Sequence, residues 1–315
     1  MTAVSVVIPT YNRGGYLRES IESVRRQSVK DVEILVVDDA SRDGVVDSLK
    51  TDPVFDGVRL IKHETNRGPG ESRRTGILAA KGKYIAFLDD DDLLEPRLLE
   101  KALSVLERDP SVGLFCCDGL LVDSDGSVLP GHKTFNGVHA AIHGYPLHTG
   151  PRSLGDVFLW PTVGIGFVAR REVFDRVSYP VDRRLEDYRF QLGVAGGGFQ
   201  VYYQHEALAR YRMHGGNASD PSPTMCEEMI TCLQSARRRY PLLRDLGWRA
   251  RRRVAQARMD FGIACLRAGE RVRGAMALAR AVADYPVQGL VLIRLASRWL
   301  FRQGARHRPF TSFVC

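Results

Sequence analysis

Five short apolar runs rich in β-branched residues punctuate the first 118 residues: Val4–Ile8, Glu33–Asp38, Val58–His63, Tyr84–Asp89 and Val112–Asp118. Near-continuous apolar runs of this length suit strands buried on both faces, as a parallel sheet between two helical layers requires. The stretches between them have helical spacing. Tyr16–Gln27 puts Leu17, Ile21 and Val24 on one face, Gly70–Ala80 offers Ile77 and Leu78, and Pro96–Arg108 opens with a proline suited to a first helical turn. The alternation predicts an α/β fold: a doubly wound, mostly parallel sheet flanked by helices.

Beyond this half the pattern changes twice. From Gly119 to about Phe167 periodicity fades while Gly, Pro and His accumulate, as in a long substrate-facing insertion. Regularity returns in FVARREVFDRV (167–177), in a helix start at LEDYRFQLGVA (185–195) and in a strand at Phe199–Tyr203. After 224 everything reads as helix: Met225–Arg239, Arg249–Ala268 and Arg271–Ala283, the last like half of a packed helical hairpin. The expected division is an α/β domain over 1–224 and a basic helical C-terminal region over 225–315.

The formal charge of +8 is unevenly distributed. Residues 1–224 carry 27 Lys+Arg against 31 Asp+Glu, and residues 225–315 carry 18 against 6, so all the excess basicity lies in the C-terminal region. The six cysteines form no CxxC pair, so neither a disulfide scaffold nor a zinc site is expected. MTAVSVVIPTYNR runs straight into a strand with no basic stretch or cleavage site, so no secretory signal is expected. Arg294 and Arg298 interrupt the longest apolar candidate, Val287 to Phe301, which is too short to span a bilayer. These features point to a cytoplasmic protein, with peripheral contact on the inner face of the membrane left open.

In an open parallel sheet ligands bind at the carboxyl ends of the strands. Those ends are polar here: Pro9-Thr10-Tyr11-Asn12-Arg13, Asp38-Asp39-Ala40-Ser41 and Asp89-Asp90-Asp91-Asp92. Six carboxylates on one rim repel one another unless a cation or ligand donors compensate them. An all-oxygen set with no His/Cys cluster suits Mg²⁺ or Mn²⁺. Arg67-Gly-Pro-Gly-Glu-Ser-Arg73-Arg74, at the turn into a helix, suits a phosphate. No GxxxxGK[ST] loop is present and no GxGxxG follows the first strand, which excludes a P-loop NTPase and argues against a dinucleotide fold. The alternative for each acidic run is a solvated helix cap.

SVVIPTYNR (5–13), VVDDAS (36–41), NRGPGESRRTGI (66–77), KGKYIAFLDDDDLLEP (81–96), LEDYRF (185–190) and YRMHGGNAS (211–219) together resemble the ordered motifs of family 2 glycosyltransferases. The resemblance implies a GT-A fold, a nucleotide-sugar donor with UDP favoured, Mn²⁺ or Mg²⁺, and inverting transfer to a hydroxyl of a glycan or lipid-linked saccharide. It implies that Pro9 and Tyr11 line the base pocket, that Asp39 accepts from the nucleobase, and that Arg73 faces the base or diphosphate. Asp90 falls on the ribose and Asp91 on the metal, with Asp89 and Asp92 in support, although four consecutive aspartates leave that register ambiguous by one. Asp187 falls on the general base beside Glu186. Arg212 and His214 fall near the diphosphate, His214 as a metal ligand with Asp91. Trp160, in the insertion, is a candidate ring for stacking on a sugar.

Two other readings stay open at this level. A sugar nucleotidyltransferase would carry a Gly-rich basic loop after the first strand, for which PTYNRGGYL is a poor substitute. A non-catalytic binder would use the basic C-terminal helices on a membrane or nucleic acid; an intact Asp91 and Asp187 argue against it, and no base-reading motif accompanies the charge. Arg237–Arg239, Leu246, Trp248, Arg249, Arg251–Arg253 and Trp299 fit either an anionic lipid surface or a solvated buttress.

Overall fold

A computed structural model describes residues 3–44, 46–47, 51–131, 133–144, 148–160, 165–182, 184–214 and 222–286. Contacts divide the chain into two compact units, 1–217 and 218–315.

The first unit is built on one sheet, in the order β3-β2-β1-β4-β8-β6-β9-β5, with β7 also on β9. The strands are β1 (Val4–Thr10), β2 (Val32–Asp38), β3 (Arg59–Lys62), β4 (Tyr84–Phe87), β5 (Leu93–Leu94), β6 (Val112–Val122), β7 (Gly150–Arg152), β8 (Ile165–Arg170) and β9 (Gln200–Arg212). The ladders β1–β2, β1–β4, β2–β3 and β6–β9 are parallel, and β8 is antiparallel to both β4 and β6. Six strands therefore run one way and β5, β7 and β8 run back. The helices of this unit are α1 (Gly14–Arg25), α2 (Pro69–Ala79), α3 (Leu98–Arg108), α4 (Phe135–His143), α5 (Leu154–Leu159) and α6 (Glu186–Gly196). Leu17, Ile21 and Val24 of α1 pack with Val6, Ile8 and Val36 and with Leu98, Leu99 and Ala102 of α3 in one core.

Five sequence expectations are corrected. Leu78, expected to pack beside Ile77, is 79% exposed, because α2 turns Gly76 and Ile77 inward. β3 is an edge strand with Arg59 and Lys62 exposed, so it is not buried on both faces. Pro96 precedes α3, which begins at Leu98. The carbonyl of Pro96 accepts from Ser28 N at 2.8 Å, while the buried side-chain carbonyl of Gln27 accepts from Leu99 N, so a side chain just beyond the end of α1 caps α3. The strand expected at Phe199–Tyr203 continues to Arg212, because Cys117 pairs with Gln204 and Asp118 with Ala207, leaving the polar His205 and Glu206 in a bulge. The region 119–167 holds α4, β7, α5 and the start of the interior strand β8, whose β-type pairing comes from β4 and β6 rather than from local pattern.

Pro9 explains where the sheet opens. In a parallel strand the N–H and C=O of one residue face the same neighbour. Val7 faces β4 and accepts from Leu88 N; the next residue on that side is Pro9, which has no N–H to donate. Pairing with β4 stops at Val7↔Phe87, whereas pairing with β2 continues to Thr10↔Asp38. The chain after β4 is thus free to fold under Thr10.

The second unit contains α7 (Pro223–Arg239), α8 (Trp248–Arg267) and α9 (Arg271–Asp284). A Cβ on Gly262 would sit 2.7 Å from Leu278 and 3.0 Å from Gly274 O, so glycine permits the close α8–α9 hairpin. No helix among the described residues is long and apolar enough to cross a membrane. Trp299, Arg294 and Arg298 lie outside the described residues.

Helix propensity and packing oppose each other at Gly76 of α2. Alanine there would gain about 1 kcal/mol of propensity, but its Cβ would overlap Val7 Cγ1 of the buried β1. Overpacking wins: against its typical cost of ~1–3 kcal/mol the propensity gain leaves Gly76→Ala destabilising by a net of up to ~2 kcal/mol in urea unfolding.

Candidate functional site

The acidic turn 89–92 lies under the C-terminal rim, in the gap between β1 and β4. Ser20, buried on α1, donates to the carbonyls of Asp90 (2.9 Å) and Asp92 (2.7 Å), and Ser23 Oγ accepts from Leu94 N. Arg212, 1% exposed at the end of β9, donates through Nε to Asp91 O (2.9 Å), through Nη1 to Ser124 O (2.7 Å) and through Nη2 to Glu19 (2.7 Å), with its guanidinium over the Tyr16 ring. Its backbone N–H donates to Asp92 Oδ1 at 3.0 Å. Arg212 thus pegs the acidic turn into the protein.

The four carboxylates separate into two groups. Asp90 accepts from Thr10 Oγ1 at 2.7 Å and lies 3.6 Å from Arg13. Asp89, Asp91 and Asp92 bring one oxygen each within 4.8 Å of the others, the one such group among the described residues. His214 Nε2 lies 3.0 Å from Asp91 Oδ2, its ring stacked on Tyr16, and Arg13 also binds Asp91 Oδ2. An all-carboxylate triplet of this size, with a histidine at its edge, suits a hard divalent cation.

Burial and mutual repulsion disturb these acids. Burial first, then the charge of Asp91, raises Asp90 to about 7. Burial, then Asp91 and Asp89, holds Asp92 well above the usual carboxylate range. Between Asp89 and α6 stands Arg73 of α2, whose Nη1 donates to Glu186 at 2.6 Å and whose Nη2 donates to Asp89. Burial works against its charge, but Asp89, Tyr179 and Glu186 outweigh it and keep the guanidinium firmly protonated. One buried arginine therefore fixes the start of α6 to the acidic turn. Asp187 follows Glu186 in the first turn of α6, half-buried, with Oδ1 accepting from Tyr188 N at 2.7 Å.

On the β1–β3 side a cleft of about 540 Å³ is lined by residues including Tyr11, Ala40, Lys62, His63 and Asn66. Tyr11 presents its ring at 43% exposure. Pro9 is buried in β1, behind the cleft. Asp39 lies beneath the wall with its carboxylate on His63 Nδ1 (2.8 Å), Arg67 N (2.9 Å) and Gly68 N (2.7 Å). Gly68, at φ +91°, caps α2 in a conformation that side chains rarely adopt. The structure therefore gives Asp39 a loop-building task beside the cleft.

Backbone strain is confined to this rim. Among the described residues the non-glycine positions with positive φ are Asn12 (54°), Ala40 (66°) and Leu185 (57°), one after β1, one after β2 and one before α6. Such conformations persist where surrounding contacts over-determine them, as they do at ligand sites. Trp160 is half-buried at the end of α5.

Sequence reasoning left Arg13, Ser20, Glu19 and Tyr179 without a role. Arg13 was within the motif and readable as a cation next to acids; Ser20 and Glu19 sit on an amphipathic helix with nothing local to mark them. Tyr179 packs on Phe87 and Phe190 with Arg73, Glu186 and Asp187 around it.

Residues 5–174 match the model of Glycosyl transferase family 2. The chain belongs to this family. It is 30% identical over 221 residues, 69% of this chain and 81% of the other, to TuaG of Bacillus subtilis, a glycosyltransferase with a proposed role in teichuronic acid biosynthesis. The matches cover 36%, 81% and 29% of the length of three curated relatives. Two solved structures share the fold at low identity. S. aureus TarS 1–349 in complex with UDP-GlcNAc aligns at TM-score 0.62 and 17% identity, covering 90% of this chain and 81% of that one. The mannosyltransferase PcManGT of Pyrobaculum calidifontis, with GDP-Man and Mn²⁺, aligns at 0.61 and 19%, covering 96% and 81%. The fold of this family 2 chain is GT-A, as its motifs implied.

The raised pKa of Asp90 sets a pH dependence. In chelator, the native protein keeps a proton on Asp90 that the unfolded chain loses near pH 4, so stability falls as pH rises from about 4 to 7. Urea unfolding at several pH values in EDTA is expected to show this decline, and Asp90→Asn to reduce its slope.

Proposed function

We propose that this glycosyltransferase moves a sugar from a nucleoside-diphosphate sugar, UDP-linked in the first instance, to an acceptor hydroxyl with inversion at the anomeric carbon. The observation that carries this reading is the Arg73 bridge, which holds the helix bearing Asp187 in register with the Asp89–Asp91–Asp92 triplet. Tyr11 forms a stacking wall for the base, and the cleft beside Asp39 is large enough for a nucleoside. Asp90 takes the ribose. The triplet, with His214, would hold Mn²⁺ or Mg²⁺, and a bound cation would supply positive charge to the departing diphosphate.

Asp187 takes the proton of the acceptor hydroxyl as its oxygen attacks the anomeric carbon from the face opposite the diphosphate. The bond to the diphosphate breaks, and its electron pair leaves with the nucleotide. Arg73 and Glu186 position the base; Arg212 positions the turn. Trp160 is assigned to the acceptor sugar.

The basic helices of the second unit are assigned to an anionic membrane surface, where a lipid-linked acceptor resides. The structure sharpens which residues are available: Arg253 is buried and Leu246 and Arg237 are half-buried, while Leu242 (71%) and Trp248 (58%) are exposed among exposed Arg238, Arg239, Arg244, Arg249, Arg251 and Arg252. An aromatic and an aliphatic tip within such a cluster suits the interface of an anionic bilayer.

Two experiments test these assignments. Asp187→Asn should keep nucleotide-sugar binding in calorimetry and lose at least ~10²-fold in single-turnover transfer; near-normal transfer removes Asp187 from the mechanism. Leu242→Asp with Trp248→Ala should abolish low-salt sedimentation with phosphatidylglycerol vesicles and leave nucleotide binding unchanged; undiminished sedimentation removes this patch from the membrane assignment.

A further inference from the structure

Three arginines hold the acidic turn, Arg13 and Arg73 at its carboxylates and Arg212 at the Asp91 carbonyl and, through its backbone N–H, at Asp92, and they differ in how they are held. Arg73 and Arg212 are buried, with side chains 8% and 1% exposed, and each spans separate elements. Arg13 is different. Its side chain is 33% exposed, and its Nη1 binds Asp91 Oδ2 and lies 3.6 Å from Asp90 Oδ1. Asp91 is also a member of the triplet that suits a divalent cation. A guanidinium and a dication cannot share one carboxylate edge without strong repulsion, because two positive charges at contact distance repel even in partly exposed surroundings.

The chain around Arg13 gives it somewhere to go. Arg13 is the N-cap residue of α1, preceded by Asn12 at φ +54° and followed by Gly14 and Gly15. A 250 Å³ cavity beside it is lined by Asn12, Arg13, Gly14, Gly15, Tyr16 and Asp43. The side chain of Arg13 makes no capping bond to α1, whose first turn lines this cavity through Gly14, Gly15 and Tyr16. An arginine turned from Asp91 toward this cavity meets Asp43 and the positive end of a 12-residue helix, a place where a further anion between guanidinium and helix stabilises it.

We propose that Arg13 is a positioning residue that occupies the metal-binding edge of Asp91 in the ligand-free protein and transfers to the donor diphosphate when cation and nucleotide bind together. The exchange makes the two ligands mutually dependent. The cation displaces Arg13 from Asp91, and the diphosphate receives it through charge-assisted hydrogen bonds. Nucleotide without metal leaves Arg13 on Asp91, and metal without nucleotide must displace a cation that then has Asp43 but no diphosphate to meet. The inference rests on reading Asp91 as a metal ligand.

The test measures two affinities whose changes have opposite signs. Free Mn²⁺ binding is followed by electron paramagnetic resonance without nucleotide, and UDP binding, with GDP alongside, by calorimetry in saturating Mn²⁺. Arg13→Gln, which keeps length and polarity, and Arg13→Ala are expected to bind Mn²⁺ about tenfold more tightly than the unaltered protein, the scale of one charge contact at this exposure. Both are expected to bind nucleotide about tenfold more weakly in Mn²⁺, with Arg13→Lys between. If Arg13→Gln, shown folded by thermal unfolding, binds Mn²⁺ equally or more weakly, Arg13 supports Asp91 structurally and the proposal is overturned. Tighter Mn²⁺ with unchanged nucleotide affinity overturns the transfer to diphosphate. Failure of the underlying reading looks different: the unaltered protein and Asp91→Asn would then bind Mn²⁺ alike.

Discussion

Four consecutive aspartates behind a buried strand are the constraint around which the catalytic unit is organised. Three of them are almost fully buried, and like charges at this spacing are costly unless each meets a cation or donor. The protein answers from four directions: Arg13 before α1, Arg73 on α2, the backbone N–H of Arg212 at the end of β9, and Thr10 at the end of β1. Each answer ties a separate element to the same turn, so the compensation of charge is also the tertiary assembly of the site. What remains uncompensated is visible in the raised pKa of Asp90 and Asp92, which burial and then the neighbouring aspartates push up.

The same economy links backbone to chemistry. Pro9 ends pairing with β4 because it has no N–H, and the gap so made receives the acidic turn. Asn12, Ala40 and Leu185 adopt left-handed conformations at three separate chain turns that meet on one rim. Each is held by neighbours: Asn12 N donates to Ser41 Oγ, Arg42 N to Asn12 Oδ1, and Glu186, next to Leu185, accepts from Arg73. Strain at the rim is thus supported by hydrogen bonds across elements, the arrangement that pre-organises a site before ligand arrives.

Much of this was legible without coordinates where a residue's task depends on its immediate neighbours. The parallel strands β1, β2 and β4 and helices α1 and α2 follow from apolar runs and helical spacing, and the carboxylates at their ends follow from where strands end. The register of six motifs identified the family. Asp39 and Arg212 show what a motif leaves unsaid. Both are polar residues in the right motif, yet Asp39 is occupied by backbone N–H groups of residues 67 and 68, and Arg212 is buried between Glu19, Ser124 and the acidic turn. A motif records which residue type is present; it does not record how many of its donors or acceptors the fold has already used.

What the sequence determined by itself is therefore the local part: element type wherever periodicity is strong, the placement of acids at strand ends, and the segregation of basic charge behind residue 224. Tertiary structure alone decided the rest. The insertion of β8 between β4 and β6, the bulge that carries β9 on to Arg212, and the division of Asp89–Asp92 into one residue facing Thr10 and three facing one another all depend on partners dozens of residues away. So does the bridge from Glu186 through Arg73 to Asp89, whose ends are 97 residues apart in the chain. Periodicity is set by a residue's immediate neighbours, but the pairing of buried charges is settled only when distant segments share one low-dielectric space.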